Sequence, residues 1–211
     1  MSDFDLVLRG NIVLSDRIIE DGYVAVSGGK VGKVGQGTPP SARETQDFRG
    51  QWIIPGVIDG QVHSGSQANH EGIGMCSRAA AAGGVTVMVD MPYDEPEPVT
   101  NAKLFNEKVA VVERDAHVDV ALYATITIEN GLHAIPGLVE AGACAFKFST
   151  FEANPTRFPR IGDDTLYEAF KLIEPTGLLC GVHNQDQEMT RRNIARLIEA
   201  GDTGPDAFLR A

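Results

Sequence analysis

The fold is decided by the stretch Ile54-Pro55-Gly56-Val57-Ile58-Asp59-Gly60-Gln61-Val62-His63, an apolar run that ends in polar groups. Its valines and isoleucine can be buried in a sheet, whereas Gln61 and His63 stand two residues apart. In a strand, residues i and i+2 point to the same face, so both side chains can reach one point beyond the strand's end. Such a pair can hold a metal ion or a polar substrate. The same spacing also fits a strand end with two satisfied polar side chains, so it leaves both interpretations open.

After Pro55, predicted strands and helices alternate five times along the chain. Gly83-Gly84 is predicted to end the first helix, Asn101 to cap the second, and Asp163 or Asp164 to cap the fourth. Alternation of this kind is typical of a parallel sheet covered by helices. The predicted strands cover residues 57–63, 85–90, 118–124, 143–148 and 178–183, and the predicted helices cover residues 71–82, 101–114, 132–141, 163–174 and 187–200.

Polar side chains cluster at the carboxyl ends of the predicted strands. Gln61 and His63 end the first strand, Asp90 the second and His183 the fifth, while Lys147 lies near the end of the fourth. A (β/α)8 barrel of the TIM type gathers its chemistry at that edge of the sheet. The sequence therefore predicts an α/β fold of the (β/α)8 TIM-barrel type, here with only about five βα units.

Residues 1–53 show a different pattern, in which short β-rich pieces are separated by turn residues. Gly10, Asp21-Gly22 and Ser27-Gly28-Gly29 are predicted to mark the turns. We therefore expect an all-β segment that forms part of a small β-sandwich domain. The predicted boundary separates this segment, residues 1–53, from a truncated barrel in residues 54–211.

The composition excludes several classes of partner. The chain has 211 residues, 43% of them hydrophobic, and a formal net charge of -11 without a basic cluster. This argues against binding to nucleic acid or to an anionic membrane surface. The acidic start Met1-Ser2-Asp3-Phe4-Asp5 lacks the features of a signal peptide, and no apolar run is long enough to span a membrane. Cys76, Cys144 and Cys180 are widely spaced and expected to be reduced thiols, which indicates a cytoplasmic protein.

Lys147 is unusual because it lies in the otherwise apolar strand Ala143-Cys144-Ala145-Phe146-Lys147-Phe148. Burying an unpaired ammonium group is costly, so a lysine here needs a partner or a lowered pKa. A neutral lysine amine can react with carbon dioxide to give a carbamate, an anionic oxygen donor that can bridge two metal ions. Alternatively, the side chain extends to the rim of the sheet or pairs with an acid. His183 can likewise be an ordinary histidine at a strand end.

Several segments resemble the cyclic amidase branch of the amidohydrolase superfamily, which holds allantoinases, dihydroorotases and dihydropyrimidinases (hydantoinases). Residues 55–63 look like its PG-x-ID-x-H-x-H motif, and residues 79–86 and 89–92 resemble the segment that follows. Phe146-Lys147-Phe148 matches the carboxylated lysine of the branch, and Val182-His183-Asn184 matches its strand-five histidine. The resemblance covers essentially the whole chain and corresponds to the N-terminal part of such a protein.

The resemblance implies a metal-dependent hydrolase that cleaves a C–N bond of a small cyclic amide or ureide. In this branch two divalent metal ions, usually zinc, polarise the ring carbonyl, and a bridging hydroxide attacks it. Carried over by position, Lys147 would be the carboxylated lysine that bridges the ions, while His63 and His183 would each bind one ion. Asp94 would contact the substrate at a position where many relatives have asparagine.

Three departures from the family pattern matter. Gln61 replaces the first histidine of the motif, and an amide oxygen is a weak neutral ligand beside imidazole. Gly65 takes the place of an arginine with which dihydroorotases hold a substrate carboxylate, which disfavours that substrate. The family's aspartate base lies on a later strand, so Asp59, on the same strand face as Gln61 and His63, is the candidate carboxylate here. We expect the 211 residues to be a fragment that does not turn over substrate by itself.

A second function stays open, that of a non-catalytic relative acting as a scaffold or oligomer subunit. Gln61 and the short chain favour this alternative, whereas His63, Lys147 and His183 favour the enzyme. A barrel of only five units would expose strand edges and apolar faces. We therefore expect a homo-oligomer, in which a partner chain covers the open edge.

Overall fold

The computed structural model describes residues 3–67, 69–128 and 131–211. Met1 and Ser2, from the acidic start of the chain, and Ala68, from the loop after the first predicted barrel strand, lie outside the described residues. The chain divides into two compact units, Met1–Gly56 and Val57–Ala211. The first is built of strands, and the second alternates strands with helices.

The described residues of the first unit form one four-stranded sheet. Its strands are β1 (Phe4–Val13), β2 (Ile18–Ser27), β3 (Lys30–Gln36) and β4 (Ala42–Ile53). They lie in the order β3-β2-β1-β4, and β1 pairs with β2 antiparallel but with β4 parallel. Buried Val7, Tyr23 and Ala25 form a small core. That this sheet belongs to a β-sandwich stays a prediction.

These strands are longer than the short pieces that the sequence suggested. The prediction that Gly10 and Gly22 mark turns is wrong, because they lie opposite each other inside the β1–β2 ladder. A Cβ on Gly22 would lie 2.9 Å from Ile12 Cγ1, so glycine permits close packing there. Gly28 and Gly29, with φ of +57° and +73°, do form the predicted turn between β2 and β3.

The described residues of the second unit form five strands and five α-helices. The strands are β5 (Val57–Val62), β6 (Val85–Asp90), β7 (Asp119–Ala124), β8 (Ala145–Ser149) and β9 (Leu179–His183). The helices are α1 (Gly72–Ala82), α2 (Ala102–Asp115), α3 (Ile135–Glu140), α4 (Asp163–Ile173) and α5 (Gln187–Glu199), and 3-10 turns cover Leu132–Ala134, Glu174–Thr176 and Pro205–Arg210.

The predicted parallel arrangement of this unit is confirmed. The sheet follows chain order from β5 to β9, and each neighbouring pair of strands is parallel. A helix follows each strand, as expected for consecutive βα units. Closure into a complete (β/α)8 barrel stays a prediction.

β8 separates the helix-facing core of this unit from the other face of the sheet. Phe146 and Phe148 are fully buried and pack in one cluster with Ala169 and Ile173 of α4. Because successive residues of a strand point to opposite faces, Lys147 lies on the face away from these helices. The apolar strand thus presents a single lysine to the side where the predicted site lies.

The starts of α2 and α4 test the predicted caps. Asn101 Oδ1 accepts a hydrogen bond from Leu104 N over 3.0 Å, which confirms the cap of α2. The prediction for α4 is wrong, because the capping position is Gly162, whose backbone is extended and which has no capping side chain. Asp163 and Asp164 lie one step further, in the first helical turn, where carboxylates interact favourably with the helix dipole.

Both edge strands of the parallel sheet expose apolar side chains. Ile58 of β5 is 66% exposed, and Leu179 of β9 is 75% exposed. An unpaired edge also offers backbone hydrogen-bonding groups to a further strand. Within the described ranges, none of the helices combines the length and apolar character needed to cross a membrane.

Candidate functional site

Parallel pairing brings the predicted site residues to one edge of the sheet. His63 directly follows β5, Asp90 ends β6 and His183 ends β9. Lys147 lies within β8, opposite Gly181 of β9. Because the carboxyl ends of parallel strands meet at the same edge, the loops after these strands border a common region.

His63 has one ring nitrogen in contact with a hydroxyl group, and its other ring nitrogen has no hydrogen bond among the described residues. Its Nδ1 lies 2.9 Å from Ser66 Oγ. Partial burial lowers the pKa of His63, and the positive charges of Arg157 and Lys147 lower it further, although nearby carboxylates oppose the shift. The neutral ring is the form that binds metals. With its proton on Nδ1 and donated to Ser66, the ring would present the Nε2 lone pair to an ion.

Lys147 is half-buried and has no acidic partner among the residues that the structure describes. The described residues therefore do not support the alternative in which Lys147 forms an ion pair with an acid. The Tyr93 hydroxyl donates to the backbone oxygen of Lys147 over 3.1 Å. A Cβ on Gly181 would lie 3.3 Å from Lys147 Cδ, so glycine leaves room beside the lysine.

His183 is exposed at the end of β9 and already has contacts. Its Nε2 lies 3.3 Å from Gln185 Oε1, and Gln185 Nε2 donates to Thr190 Oγ1 over 3.1 Å. The ring packs edge-to-face against Phe158, with centroids 5.7 Å apart. An ion at Nε2 would have to displace Gln185.

Gln61 and Asp59 are both exposed on β5. Asp59 Oδ1 accepts a hydrogen bond from Gln61 N over 3.1 Å, so this carboxylate is turned toward the backbone of its own strand. The Gln61 side-chain amide has no hydrogen-bond partner in the described part of the chain. Their roles as a metal ligand and a catalytic group stay predictions.

A buried ion cluster adjoins the turn that follows His63. Lys108 Nζ lies 2.6 Å from Asp90 Oδ2 and 2.8 Å from Asp94 Oδ2. The side chains of Lys108 and Asp90 are only 7% and 0% exposed. Asp90 Oδ1 and Oδ2 also accept hydrogen bonds from Ser64 N and Ser64 Oγ, over 2.9 and 2.8 Å. The cluster therefore connects the loop after β5, the loop after β6 and helix α2.

Asp94, the predicted substrate contact, is paired at one oxygen. Its Oδ2 contacts Lys108, whereas its Oδ1 is buried without a hydrogen-bond partner among the described residues. A Cβ on Gly65 would lie 2.6 Å from Asp94 Oδ1. Burial raises the pKa of Asp94, and Lys108 opposes that shift. The Asp94 carboxylate thus occupies the space that the Cβ of any other residue at position 65 would need.

The loop after β8 reaches the same region, which the sequence did not predict. Arg157 Nη1 donates to the backbone oxygen of Tyr93 over 3.0 Å. The Tyr93 ring packs against Phe158 with centroids 4.0 Å apart, and Phe158 contacts His183. These contacts are made between loops, where no periodic pattern exists to reveal them in the sequence.

Lys108 was also missed, although the sequence carries a signal for it. It follows Leu104 by four residues and Phe105 by three, so all three share one face of α2. Phe105 is buried in the apolar core. A lysine on such a face needs an acidic partner, and Asp90 at the end of a buried strand was the available one.

His63, His183 and Lys147 could together bind a divalent metal ion only if Lys147 is carboxylated. His63 and His183 offer imidazole nitrogens, but Lys147 becomes an anionic oxygen donor only when it is carboxylated. Over residues 3–67, 69–128 and 131–211, no group of three or more His, Cys, Asp or Glu side chains is arranged to hold a metal. Since only the two histidines of the predicted set belong to those residue types, the carbamate would have to complete the site.

Two cavities lie among the loops at this edge of the sheet. One of about 360 Å³ is bordered by Gly65, His70, Asp94 and Lys108, among others. Another of about 690 Å³ is bordered by loops that follow β6, β7 and β8, including Asn101. The smaller cavity therefore adjoins the predicted substrate contact.

Comparison with known proteins shows the family to which the chain belongs. Residues 50–157 match the family described as Dihydro-orotase-like. An allantoinase of Desulfitobacterium hafniense (strain Y51) is 34% identical over 214 residues, covering 100% of this chain and 47% of the relative. An allantoinase of Solibacter usitatus (strain Ellin6076) is 32% identical over 207 residues, covering 97% of this chain and 45% of the relative.

A solved structure supports the same likeness. The L-hydantoinase (dihydropyrimidinase) from Arthrobacter aurescens superimposes with a TM-score of 0.88 at 29% identity, covering 98% of this chain and 46% of that protein. A D-hydantoinase superimposes with a TM-score of 0.76 at 21% identity, which shows the fold alone. The chain spans less than half the length of each of these relatives.

Proposed function

The chain belongs to the dihydro-orotase-like family, and on that basis we propose that it forms part of a metal-dependent hydrolase of cyclic amides or ureides. The allantoinases and the L-hydantoinase that it resembles support this substrate class. A Cβ at position 65 would lie 2.6 Å from Asp94 Oδ1, so a carboxylate-binding side chain there would have to displace Asp94. This favours an allantoin-like or hydantoin-like ring over dihydroorotate.

The observation that supports the proposal most strongly is the environment of Lys147. It is half-buried on the sheet face away from the core, and no acidic partner is found for it in the described part of the chain. A structural ion pair would explain a lysine in an apolar strand, but none is present there. A carbamate formed from the neutral amine and carbon dioxide gives this lysine a reason to lie at the site.

His63, His183 and carboxylated Lys147 would hold two divalent ions, zinc in the first instance, with Gln61 as a further weak ligand. When bound, such ions polarise an amide carbonyl and lower the pKa of a water molecule. Ser66 would hold the ring of His63 in the orientation that leaves Nε2 free.

The remaining residues would position substrate and move a proton. Asp94, which borders the smaller cavity, is the proposed substrate contact, and cyclic ureides carry N–H donors that a carboxylate can accept. In the net reaction, water adds to the carbonyl carbon, the ring C–N bond breaks, and a proton passes to the leaving nitrogen. Asp59 is the proposed carboxylate for that proton transfer in these residues, and we propose that the 211 residues alone do not turn over substrate.

The test is a hydrolysis assay on the protein at the length that its gene encodes. The protein is loaded with Zn²⁺ in bicarbonate buffer and given allantoin, a hydantoin, a dihydropyrimidine and dihydroorotate in parallel. We expect ring opening of allantoin or the hydantoin that EDTA abolishes and that Lys147→Ala abolishes. The control is Lys171→Ala, which removes an exposed lysine of α4 that pairs with Glu168. Turnover that survives both EDTA and Lys147→Ala would contradict the proposal.

The alternative of a non-catalytic scaffold is not favoured, because the relatives named above are enzymes. We also propose a cytoplasmic protein, since the cysteines are free thiols among the described residues. A homo-oligomer is proposed because both edge strands expose apolar residues.

A further inference from the structure

Lys108 lies on α2, outside the sheet, yet its amine is almost completely buried. Its Nζ contacts Asp90 Oδ2 and Asp94 Oδ2 and donates to the backbone oxygen of Met91 over 2.9 Å. The ammonium group thus contacts three oxygen atoms, one in the last residue of β6 and two in the loop that follows it. None of the motifs in the sequence assigns a role to this lysine.

Packing of α2 does not require a lysine at this position. Phe105 is buried in the apolar cluster, and Val109 and Val112 pack against it. Well-packed apolar residues can replace a buried ion pair with little change in stability, because burying the charges costs about as much as their attraction returns. A role beyond holding the helix in place therefore has to be sought in what the two carboxylates contact.

Asp90 controls the turn that directly follows His63. Ser64 donates to it twice, from its backbone N and from its hydroxyl. Ser64 itself is buried, with 2% exposure. The residue after His63 is therefore bound to a carboxylate that Lys108 contacts directly.

Asp94 is the second carboxylate that Lys108 contacts. Its Oδ2 contacts Lys108 over 2.8 Å, and its Oδ1 lies against Gly65, in the turn that Asp90 fixes. The backbone N of Glu95 also donates to the oxygen of Gly65 over 2.8 Å. The loop that bears His63 and the loop that bears Asp94 are thus joined at several atoms, with Lys108 common to both carboxylates.

We propose that Lys108 is a positioning residue: through Asp90 and Asp94 it sets the loop that bears His63 relative to the loop that bears Asp94. The consequence for metal binding rests on the proposed function, whereas the consequence for loop order rests on the contacts alone. Residues that orient metal ligands typically change metal affinity by about 10- to 100-fold when they are removed.

The decisive variant is Asp90→Leu combined with Lys108→Met in the purified 211-residue chain. It replaces the buried pair by apolar side chains of similar size and removes both acceptors of Ser64. We expect the melting temperature to fall while the chain stays folded, because Asp94 loses its contact with Lys108 and buried Ser64 loses its acceptors. Amide exchange at Ser64 should accelerate by about tenfold or more, while amides of β7 and β8 keep their protection. Zn²⁺ affinity, measured by calorimetry in bicarbonate buffer, should fall by about 10- to 100-fold.

The matched control is Lys103→Met with Glu107→Leu, which removes an exposed ion pair from the same helix. It should leave both the Ser64 amide and the Zn²⁺ affinity as in the parent. If the buried double variant does not fold, Ser64→Ala removes only the hydroxyl contact to Asp90 and should reduce Zn²⁺ affinity, with Ser64→Thr restoring it.

Two results separate this inference from the proposed function. If the parent binds no Zn²⁺, the proposed function fails, and the exchange of the Ser64 amide still decides the positioning role. If the parent binds Zn²⁺ but the buried double variant, or Ser64→Ala in its place, matches the control in affinity and exchange, the positioning role is wrong.

Discussion

Gly65 and Asp94 are in direct contact, since a Cβ on Gly65 would lie 2.6 Å from Asp94 Oδ1 and 2.9 Å from Asp94 Cγ. Asp94 cannot simply rotate away, because its other oxygen contacts Lys108 over 2.8 Å. The glycine and the carboxylate therefore occupy one space between two loops. An arginine at position 65 would therefore have to displace Asp94 from its contact with Lys108.

Gly65→Ala should displace the Asp94 carboxylate and weaken its pairing with Lys108. We expect the free energy of unfolding to fall by about 1–3 kcal/mol, the usual cost of inserting a methyl group into a packed region. Urea denaturation followed by circular dichroism measures it. Gly204→Ala is the control, because nothing lies within 4 Å of a Cβ at that position. Equal stability of the two variants would show that the Gly65 turn has space to spare.

Ser66→Ala should weaken divalent metal binding without unfolding the chain. The Ser66 hydroxyl contacts His63 Nδ1 over 2.9 Å and would fix the ring with Nε2 free. We expect Zn²⁺ affinity to fall by about 10- to 100-fold in a calorimetric titration. Ser15→Ala, at an exposed serine of the first unit, is the control. If Ser66→Ala leaves the Zn²⁺ affinity unchanged, Ser66 does not orient His63 for metal binding.

Asn101→Ala should destabilise the second unit by about 1 kcal/mol, because it removes the side-chain acceptor for Leu104 N. Asp163→Ala should cost less, since Asp163 lies in the first turn of α4 and supplies only a favourable interaction with the helix dipole. Thermal denaturation of the two variants compares them. A larger loss for Asp163→Ala than for Asn101→Ala would contradict the observed capping.

The second unit was predictable because its signals are local and repeated. Apolar runs such as residues 85–90 alternate with helical segments, and turn residues such as Gly83-Gly84 separate them. The first unit was harder, because Gly10 and Gly22 look like turn residues in the sequence. Their actual role is to let two long strands pack closely, which depends on neighbours distant in the chain.

The residues of the candidate site could likewise be predicted only where the signal in the sequence is local. His63 and Lys147 stand out because a polar residue interrupts or ends an apolar strand. Lys108, Arg157 and Phe158 were not identified, since their contacts join loops or a helix to a strand end. A polar residue on the buried face of a helix was the one signal that could have revealed Lys108.

Carboxylation of Lys147 is measured most directly by ¹³C NMR of the protein loaded with Zn²⁺ in ¹³C-bicarbonate, together with its metal content. We predict a carbamate resonance and about two metal ions per chain, both lost in Lys147→Ala and both retained in Lys171→Ala. Metal bound equally by the parent and by Lys147→Ala, without a carbamate resonance in either, would contradict a metal site built on Lys147.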